Sequence, residues 1–392
     1  MARSRSIIIA GAGIGGLTAA LTVARAGYRV VVLEQAARLE EAGAGIQLSP
    51  NATRILTDLG LADRLRPFAV APEAIEIRAA SGRPIQRIPL GASAERRYGA
   101  PYWVIHRADL QAALVAAVQD MPDIALKLGT RAEDFALHQH GLTVHARGTQ
   151  ALDEQGLALI GADGVWSSLR ARMGDRSLPA FAHRTAWRAT LPAAQLTDEF
   201  RAPVTGLWLG RDAHLVHYPV KAGAMVNIVA IIRDDWNESG WSAPGKPADL
   251  APRFAGFAAE ARALLALPER WQKWALFDRA PSLPRRKGPV TLVGDAAHPM
   301  LPFLAQGGAM GIEDAAVLGQ CLARGGDDIA RALRRYERTR QRRVARVQRE
   351  ARRNAWRYHL AGPLGFARNA VLGAMSGEKL LARYDWLYGW KP

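Results

Sequence analysis

The chain has 392 residues, of which 49% are hydrophobic, enough to bury a large core spread over roughly two or three domain-sized units. The single cysteine, Cys321, excludes an intramolecular disulfide and a thiolate metal cluster, and it fits a reducing cytoplasm. A formal net charge of +16 could attract nucleic acid or an anionic membrane surface, but no run of about 18 apolar residues predicts a membrane span.

The first predicted elements are a strand, a glycine-rich turn, a helix and a second strand. They occupy residues 6–10, 11–16, 17–26 and 28–33. In the GxGxxG pattern of Gly11, Gly13 and Gly16, the first glycine makes a tight turn, the second lets a pyrophosphate approach, and the third allows the helix to pack on the strand. Glu34 ends the second strand, where a ribose-binding carboxylate is expected. The sequence therefore predicts a dinucleotide-binding site rather than a secretion signal.

From about residue 72 the sequence predicts many short strands, which indicate a second, sheet-rich domain inserted into the first. These strands are expected at residues 75–79, 85–88, 186–190, 206–209, 214–218 and 226–232. We assign residues 1–72, 99–178 and 285–325 to the first domain and residues 73–98 and 179–284 to the second. Residues 326–392 form a helical segment, and residues 281–284 are the best candidate for a hinge.

Arginines are concentrated between Arg331 and Arg357. Apolar residues recur between them at roughly helical spacing, as at Leu333, Tyr336 and Val344. This pattern is typical of an amphipathic helix whose basic face is solvated. We therefore expect no nucleic acid as a partner, and we expect no membrane span.

Two further glycine turns follow predicted buried strands. The first is Gly161-Ala162-Asp163-Gly164, although an Asp-Gly pair alone is most often a simple turn. The second is Gly294-Asp295, which precedes Gly307-Gly308 at the predicted start of a helix. A strand, a glycine turn and a helix start repeat the anion-binding arrangement of the first motif. Asp295 is thus expected to accept a hydrogen bond from a polyol hydroxyl.

Together the three motifs resemble those of the single-component FAD-dependent aromatic hydroxylases, the class A flavoprotein monooxygenases of para-hydroxybenzoate hydroxylase type. Residues 45–54 (GIQLSPNATR), 102–110, 217–220 and 384–390 add to the resemblance, which covers nearly the whole chain. Within this family, the sequence pattern is most similar to the salicylate hydroxylase and 3-hydroxybenzoate 6-hydroxylase branches. The expected fold is α/β: a Rossmann-like FAD-binding domain with an interleaved sheet-rich substrate domain and a C-terminal helical segment.

The resemblance implies a set of FAD contacts. Those at the pyrophosphate and the adenosine ribose are Gly11, Gly13, Ile14, Gly15, Gly16 and Glu34. Those toward the phosphate, the ribitol and the flavin ring are Gln47, Arg107, Gly294, Asp295, Pro302, Gly307 and Gly308. Asp163 is implied to support both FAD and nicotinamide nucleotide binding. For Arg107 a salt bridge with Asp109 is the alternative.

The implied reaction hydroxylates a small phenolic or benzoate-type substrate, such as salicylate or 3-hydroxybenzoate. It uses O2 and NADH or NADPH, and it proceeds through a flavin C4a-hydroperoxide. The sequence has no HExxH metal spacing, no GxSxG elbow and no second dinucleotide fingerprint, so the cofactor must carry the difficult step. The reduced nicotinamide nucleotide is accordingly expected to dock transiently.

A base that deprotonates a phenol would make the ring more nucleophilic. The candidates are His214 and His217, which on one strand would face opposite ways, so only one can reach the substrate. We favour His217, with Tyr218 beside it. Gln306 could orient the substrate, and a hydrogen bond within its loop is the equal alternative.

The sequence is also compatible with three other functions. The same motifs serve flavin hydroxylases of larger polycyclic or antibiotic-like substrates. A flavin dehydrogenase without oxygen chemistry, or a flavin-binding regulator that uses its basic helix on DNA, is also conceivable, although no helix-turn-helix or zinc pattern accompanies the arginines. The apolar run Leu301-Pro302-Phe303 stands where relatives acting on 3-hydroxybenzoate or 6-hydroxynicotinate tend to have a polar residue, and it suggests a more hydrophobic pocket. We expect a cytoplasmic monomer or homodimer.

Overall fold

The computed structural model describes residues 6–39, 44–238, 242–281, 287–326 and 328–392. In this part of the chain, strands and helices form a mixed α/β architecture with two large sheets. No helix within these ranges is long and apolar enough to cross a membrane.

The strands are numbered along the chain. They are β1 Ser6–Ala10, β2 Arg29–Leu33, β3 Gly45–Leu48, β4 Ala74–Ala79, β5 Pro84–Pro89, β6 Trp103–His106, β7 Ile124–Lys127, β8 Arg131–His138, β9 Gly141–Arg147, β10 Ala151–Gly156, β11 Ala158–Gly161, β12 Ala180–Pro192, β13 Val204–Leu209, β14 Ala213–Val220, β15 Met225–Arg233, β16 Ser242–Gly245, β17 Trp271–Asp278 and β18 Val290–Leu292.

The helices follow the same convention. They are α1 Ile14–Arg25, α2 Pro50–Asp58, α3 Ala62–Leu65, α4 Gly91–Tyr98, α5 Arg107–Gln119, α6 Ser168–Arg172, α7 Asp198–Arg201, α8 Pro247–Leu250, α9 Ala259–Ala266, α10 Gly307–Gly325, α11 Ile329–Tyr358, α12 Gly362–Ala374, α13 Gly377–Ala382 and α14 Asp385–Tyr388.

The first sheet has five parallel strands in the order β18-β11-β1-β2-β7. Its apolar strands are covered on both faces, as their continuous hydrophobic runs predict. Helices α1, α5 and α10 pack on one face, and the small sheet β10-β9-β8 adds Leu142 and Val144 to the core on the other. The glycine turns at Gly11, Gly161 and Gly294 lie where β1, β11 and β18 end. Because parallel strands end at the same edge, the fold brings the three motifs together.

The second sheet has eight strands in the order β16-β17-β12-β15-β14-β13-β4-β5. One face packs on a core that contains Trp187, Trp208 and Trp271 together with residues of α9. The side chains that alternate with these point the other way. That second face meets the loops of the first domain.

The predicted α/β fold with an interleaved sheet-rich unit and C-terminal helices is confirmed. Residues 74–89 and 180–278 supply the eight-stranded sheet from two separate stretches of chain. The exact domain boundaries stay predictions, and the proposed hinge at residues 281–284 falls largely outside the described residues.

The basic helix α11 is present, but its arginines are not all solvated. Arg340 is only 1% exposed and forms ion pairs with Glu313 and Asp314 of α10. Arg343 also pairs with Glu313. The expectation of a wholly solvated basic face is therefore wrong at these positions, because two buried carboxylates of α10 face them.

Candidate functional site

The first glycine turn leaves space that the protein itself does not fill. Gly11 has φ +110°, and a Cβ there would lie 2.4 Å from the Ala162 carbonyl oxygen. A Cβ at Gly16 would lie 1.9 Å from the Gly11 carbonyl oxygen, so both glycines are required by packing. A Cβ at Gly13 would meet nothing within 4 Å. The open space over Gly13, at the start of α1, is the feature expected of a pyrophosphate cradle.

Glu34 and the remaining turn residues hold this cradle in shape. The Glu34 carboxylate accepts hydrogen bonds from the Ala12 N–H at 2.7 Å and the Ala36 N–H at 2.8 Å. Ile14 is buried, and Gly15 lies against Gly311 of α10, where an added Cβ would be 3.6 Å from the Gly311 Cα. A Cβ at Gly15 would thus make only an ordinary van der Waals contact with α10.

A cavity of about 570 Å³ lies between the first domain's loops and the second sheet. The predicted site residues that line it are Gln47, Arg107, His214, Tyr218, Asp295, Pro302, Gly307 and Gly308. Gln47 accepts a hydrogen bond from the Tyr102 hydroxyl at 2.7 Å. Asp109, the alternative partner considered for Arg107, accepts one from Lys221 at 2.8 Å. Of the residues predicted to lie toward the phosphate, the ribitol and the flavin ring, the cavity thus gathers all except Gly294.

The third glycine turn is held by a buried carboxylate that sequence reasoning did not assign. Asp314 accepts hydrogen bonds from the Gly294 N–H at 2.8 Å and from Arg340 Nε at 2.6 Å, and its Oδ2 lies 2.5 Å from His298 Nε2. Burial alone would raise the pKa of Asp314, but His298 and Arg340 outweigh it and lower that pKa. The pKa of Asp295, which faces the cavity, is raised by burial. The Asp295 side chain is itself exposed toward the cavity, where a hydroxyl partner can reach it.

Asp163 is not among the residues that line the cavity. Its Oδ2 accepts a hydrogen bond from the Leu169 N–H at 3.1 Å, which holds the start of α6. Its Oδ1 is buried without a hydrogen-bond partner in the described part of the chain. The first contact is structural, and the second oxygen leaves an acceptor for a group that the chain does not supply.

Strand β14 separates its two histidines as alternation requires. His214 and Tyr218 line the cavity. His217 points to the opposite face, where its ring packs edge-on against Phe200 at 4.9 Å and fills the space beside Gly206. Burial, and then Arg78, lowers the pKa of His217 to about 3. The preference for His217 as the base is corrected, because its ring faces the tryptophan core and not the cavity.

Gln306 also lies apart from the cavity lining. It is 1% exposed, donates to Ser49 Oγ at 2.8 Å and accepts from Asn51 Nδ2 at 3.1 Å. Asn51 in turn donates to Glu313 at 2.7 Å. Gln306 therefore has the loop-bonding position named as the alternative, and its suggested role in orienting substrate lacks a geometric basis.

Several cavity residues were missed by the sequence reasoning. They are Arg188 and Trp274 of the second sheet and the tyrosines Tyr102, Tyr358, Tyr384 and Tyr388. Arg188 stands in the predicted strand at residues 186–190, and a charged residue in the middle of an apolar strand could have marked it. The tyrosines come from distant parts of the chain, and only the fold brings them together.

The residues fit FAD at both ends of the site. The cradle over Gly13 is open, and the N-terminus of α10 at Gly307 faces the cavity with Arg107 and Asp295. The second sheet adds a positive charge at Arg188 and an imidazole at His214. A ligand that lies against this wall meets an aromatic, positively charged surface, which favours an aromatic anion.

Comparison with known proteins agrees with this geometry. The family model described as FAD binding domain matches residues 4–351. A 3-hydroxybenzoate 6-hydroxylase of Polaromonas naphthalenivorans is 35% identical over 98% of this chain and 96% of its own length. A 3-amino-4-hydroxybenzoate 2-monooxygenase of Streptomyces platensis is 40% identical over the same shares.

Two solved structures also match nearly the whole chain. One is a salicylate hydroxylase substrate complex, with a TM-score of 0.83 and 25% identity, covering 100% of this chain and 97% of its own. The other is HpxO of Klebsiella pneumoniae complexed with FAD and uric acid, with a TM-score of 0.83 and 27% identity, covering 96% of this chain and 95% of its own.

Proposed function

For this chain, which belongs to the class A FAD-dependent aromatic hydroxylases, we propose that the substrate is a single-ring hydroxybenzoate whose carboxylate is bound by Arg188. FAD-dependent hydroxylation of a small aromatic substrate, with NAD(P)H as co-substrate, is the activity of the family.

The surroundings of Arg188 are the main support for the proposed carboxylate contact. Its Nε is buried with no hydrogen-bond partner in the described residues. Its guanidinium lies 5.2 Å from the Trp274 ring centroid and lines the cavity. Burial, with Arg107 nearby, lowers its pKa. A partly buried guanidinium whose Nε has no protein hydrogen-bond partner favours a ligand carboxylate, which can accept two parallel hydrogen bonds from it.

The ring hydroxyl is assigned to His214. Through the paired strands β12, β15 and β14, Arg188 is level with Val216, and His214 lies two residues further along β14. Two strand spacings and two residues put the Arg188 and His214 Cα atoms roughly 12 Å apart. Side chains from both positions can then meet opposite sides of one substituted benzene ring. The names of the two relatives, which act on hydroxybenzoates, support this assignment.

The size of the cavity favours one ring over several. Its volume of about 570 Å³ has to accommodate the flavin ring as well as the substrate. Pro302 and Phe303 give its wall the apolar character expected from the sequence. A larger polycyclic substrate is therefore less well supported than a benzoate.

Each part of the chain then has a defined task. When bound, FAD takes electrons from NAD(P)H and activates O2. The cradle at Gly13 and the α10 start would hold its phosphates and ring edge, and Glu34 would meet its ribose. Arg188 orients the substrate through its carboxylate, and His214 contacts the hydroxyl. Tyrosines such as Tyr384 and Tyr388 exclude water, which strengthens these polar contacts.

The test compares a substrate acid with its uncharged analogue. In the FAD-loaded protein, Arg188→Met should weaken 3-hydroxybenzoate binding by about 10- to 100-fold, because a hydrogen-bonded charge pair is lost. Binding of 3-hydroxybenzyl alcohol should change little. Arg188→Lys should restore part of the affinity, and Arg233→Met, an exposed position on β15, serves as the control. Equal weakening of acid and alcohol by Arg188→Met would reject the carboxylate contact.

A further inference from the structure

His214 is hydrogen-bonded to a second buried histidine. Its Nδ1 lies 2.8 Å from Nε2 of His359, which follows the end of α11. Both side chains are buried, and the His214 ring packs against Phe303 and Tyr358 at 5.2 and 5.4 Å between centroids. The other ring nitrogen of His214, Nε2, has no hydrogen-bond partner in the residues that the structure describes, and the ring lines the cavity. Nε2 is thus the atom of His214 that a substrate can reach.

A third residue determines which nitrogens carry protons. Arg184 Nε donates a hydrogen bond to His359 Nδ1 at 3.3 Å. Because a guanidinium can only donate, His359 Nδ1 must be the unprotonated nitrogen. The proton of neutral His359 is then on Nε2, and it is donated to His214 Nδ1. His214 Nδ1 must in turn be unprotonated, so the proton of neutral His214 is on Nε2.

The surroundings of the pair keep both rings neutral. Burial lowers the pKa of His214 well below its ordinary value, and His359 and Arg184 add to this effect. Burial also lowers the pKa of His359 to about 3, with contributions from Arg184 and Arg368. The reverse tautomers would set the His359 Nδ1–H against the Arg184 Nε–H, which is a donor facing a donor.

We propose that Arg184 and His359 are positioning residues that hold His214 with its Nε2–H toward the cavity, so that His214 donates a hydrogen bond to an anionic oxygen of the substrate. A nitrogen that carries a proton cannot accept one, so His214 is not the proton acceptor for a phenol. This inference rests on the proposed function only for the identity of the oxygen. In the proposed function, that oxygen is the ring hydroxyl in its ionised form. Donation favours the phenolate, whose ring is more electron-rich than that of the phenol.

The tautomers can be measured without substrate or turnover. Protein labelled with 15N-histidine should show by NMR that His214 and His359 both carry their proton on Nε2 near neutral pH. The two signals are assigned from His214→Gln and His359→Gln. Arg184→Met should produce a tautomer mixture at both sites, Arg184→Lys should retain the Nε2–H form, and the exposed Arg233→Met, across the β12–β15 pairing, should change nothing. His214 with its proton on Nδ1 in the unsubstituted protein would overturn the proposal.

Kinetics separate donation from proton abstraction. The side chain of His214→Gln can still donate a hydrogen bond but cannot act as a base near neutral pH. We expect kcat of His214→Gln to stay within about tenfold of the parent value. We expect kcat of His214→Phe to fall much further. Equal loss in the two variants would argue for a base and against the proposal. For Arg184→Met we expect kcat to fall more than the affinity for the substrate, with rescue in Arg184→Lys.

Binding identifies which oxygen His214 contacts. If His214 contacts the phenolate, His214→Phe should weaken the binding of 3-hydroxybenzoate more than the binding of benzoate. If it contacts the carboxylate, the binding of both ligands should weaken equally. Either result keeps His214 as a donor, whereas unchanged binding of both ligands would remove it from the substrate contact. A protein with the expected tautomers that hydroxylates no aromatic acid would refute the proposed function and leave the positioning role intact.

Discussion

Gly13 and Gly16 look alike in the sequence but differ in what a side chain would meet. The Cβ of Gly13→Val would enter open space, so the protein should fold with nearly unchanged stability while losing FAD, because the side chain occupies the approach path of the pyrophosphate. Gly16→Val would collide with the Gly11 carbonyl and should destabilise the fold itself. Flavin absorbance after purification, together with urea unfolding of the apoproteins, distinguishes the two. A Gly13→Val protein that stays yellow would contradict the cradle.

His217 should make the stability of the fold depend on pH. Its pKa is lowered to about 3 in the folded protein and is about 6.5 when unfolded. The unfolded state therefore takes up the proton first, so the contribution of neutral His217 is complete above about pH 6.5 and is lost as the pH falls toward 3. Within this window, each pH unit of acidification lowers the free energy of unfolding by about 1.4 kcal/mol. His217→Leu should remove the share of this slope that His217 contributes, whereas the buried His214 and His359 keep their own shares.

The measurement is urea unfolding at several pH values between 4.5 and 7. The matched control is His138→Leu on β8, which is exposed in the folded protein. Parallel pH profiles for the parent chain and His217→Leu would contradict the assignment of His217 to the buried core.

The sequence predicted the residues whose role is local and missed those whose role depends on pairing. Gly11, Gly13 and Glu34 could be found because a turn and its adjacent strands fix their positions. Alternation correctly required His214 and His217 to face opposite ways. Which of them faces the cavity depends on the core of tryptophans on the other face of the sheet, and neighbouring residues in the sequence do not specify that.

Among the elements, α11 shows the limit of charge patterning. Its arginines predicted a solvated face because charged side chains are rarely buried. Arg340 is nevertheless buried against Glu313 and Asp314, and Asp314 also holds the glycine turn at Gly294. The pairing between α10 and α11 is tertiary, so periodicity within one helix could not reveal it.

Removing Arg340 should therefore destabilise more than one element. Arg340→Met leaves two buried carboxylates with fewer partners, and we expect the free energy of unfolding to fall by roughly 3–5 kcal/mol. FAD retention should fall as well, because Asp314 positions the Gly294 turn. Arg342→Met, an exposed neighbour on α11, should stay within about 0.5 kcal/mol of the parent in urea unfolding. A loss below 1 kcal/mol for Arg340→Met would contradict the buried network.

Across the whole molecule, the sequence predicted two interleaved units but not how the cavity between them is closed. The alternating strand and helix patterns, with the glycine turns, predicted the first sheet, and short alternating runs predicted much of the second. The tyrosines of the last helical segment reach the cavity only because the chain returns across α4 and α11. Such long-range closure has no local sequence signal.

The C-terminal segment that carries Tyr384 and Tyr388, here called the returning segment, is held in place by an ion pair at the surface. Asp385, at the start of α14, accepts hydrogen bonds from Arg97 Nε at 2.7 Å and Nη2 at 2.6 Å, and from the Tyr98 hydroxyl at 2.9 Å. Arg343 also donates to the Trp386 carbonyl at 2.9 Å. Asp385 thus ties α14 to α4 beside Tyr384 and Tyr388, which line the cavity.

Breaking this tie should affect water exclusion more than stability. Arg97→Met removes an exposed ion pair, so we expect the free energy of unfolding to change little. The segment that carries Tyr384 and Tyr388 should then open more often and admit water, so that a larger share of the NAD(P)H consumed yields peroxide instead of hydroxylated product. The ratio of hydroxylated product to NAD(P)H consumed measures this share. The control is Arg64→Met, which breaks the exposed ion pair between Arg64 and Asp120 in the first domain. If Arg97→Met and Arg64→Met leave the same ratio as the parent chain, the returning segment does not seal the cavity, and exclusion of water has to be attributed to the walls of the second sheet alone.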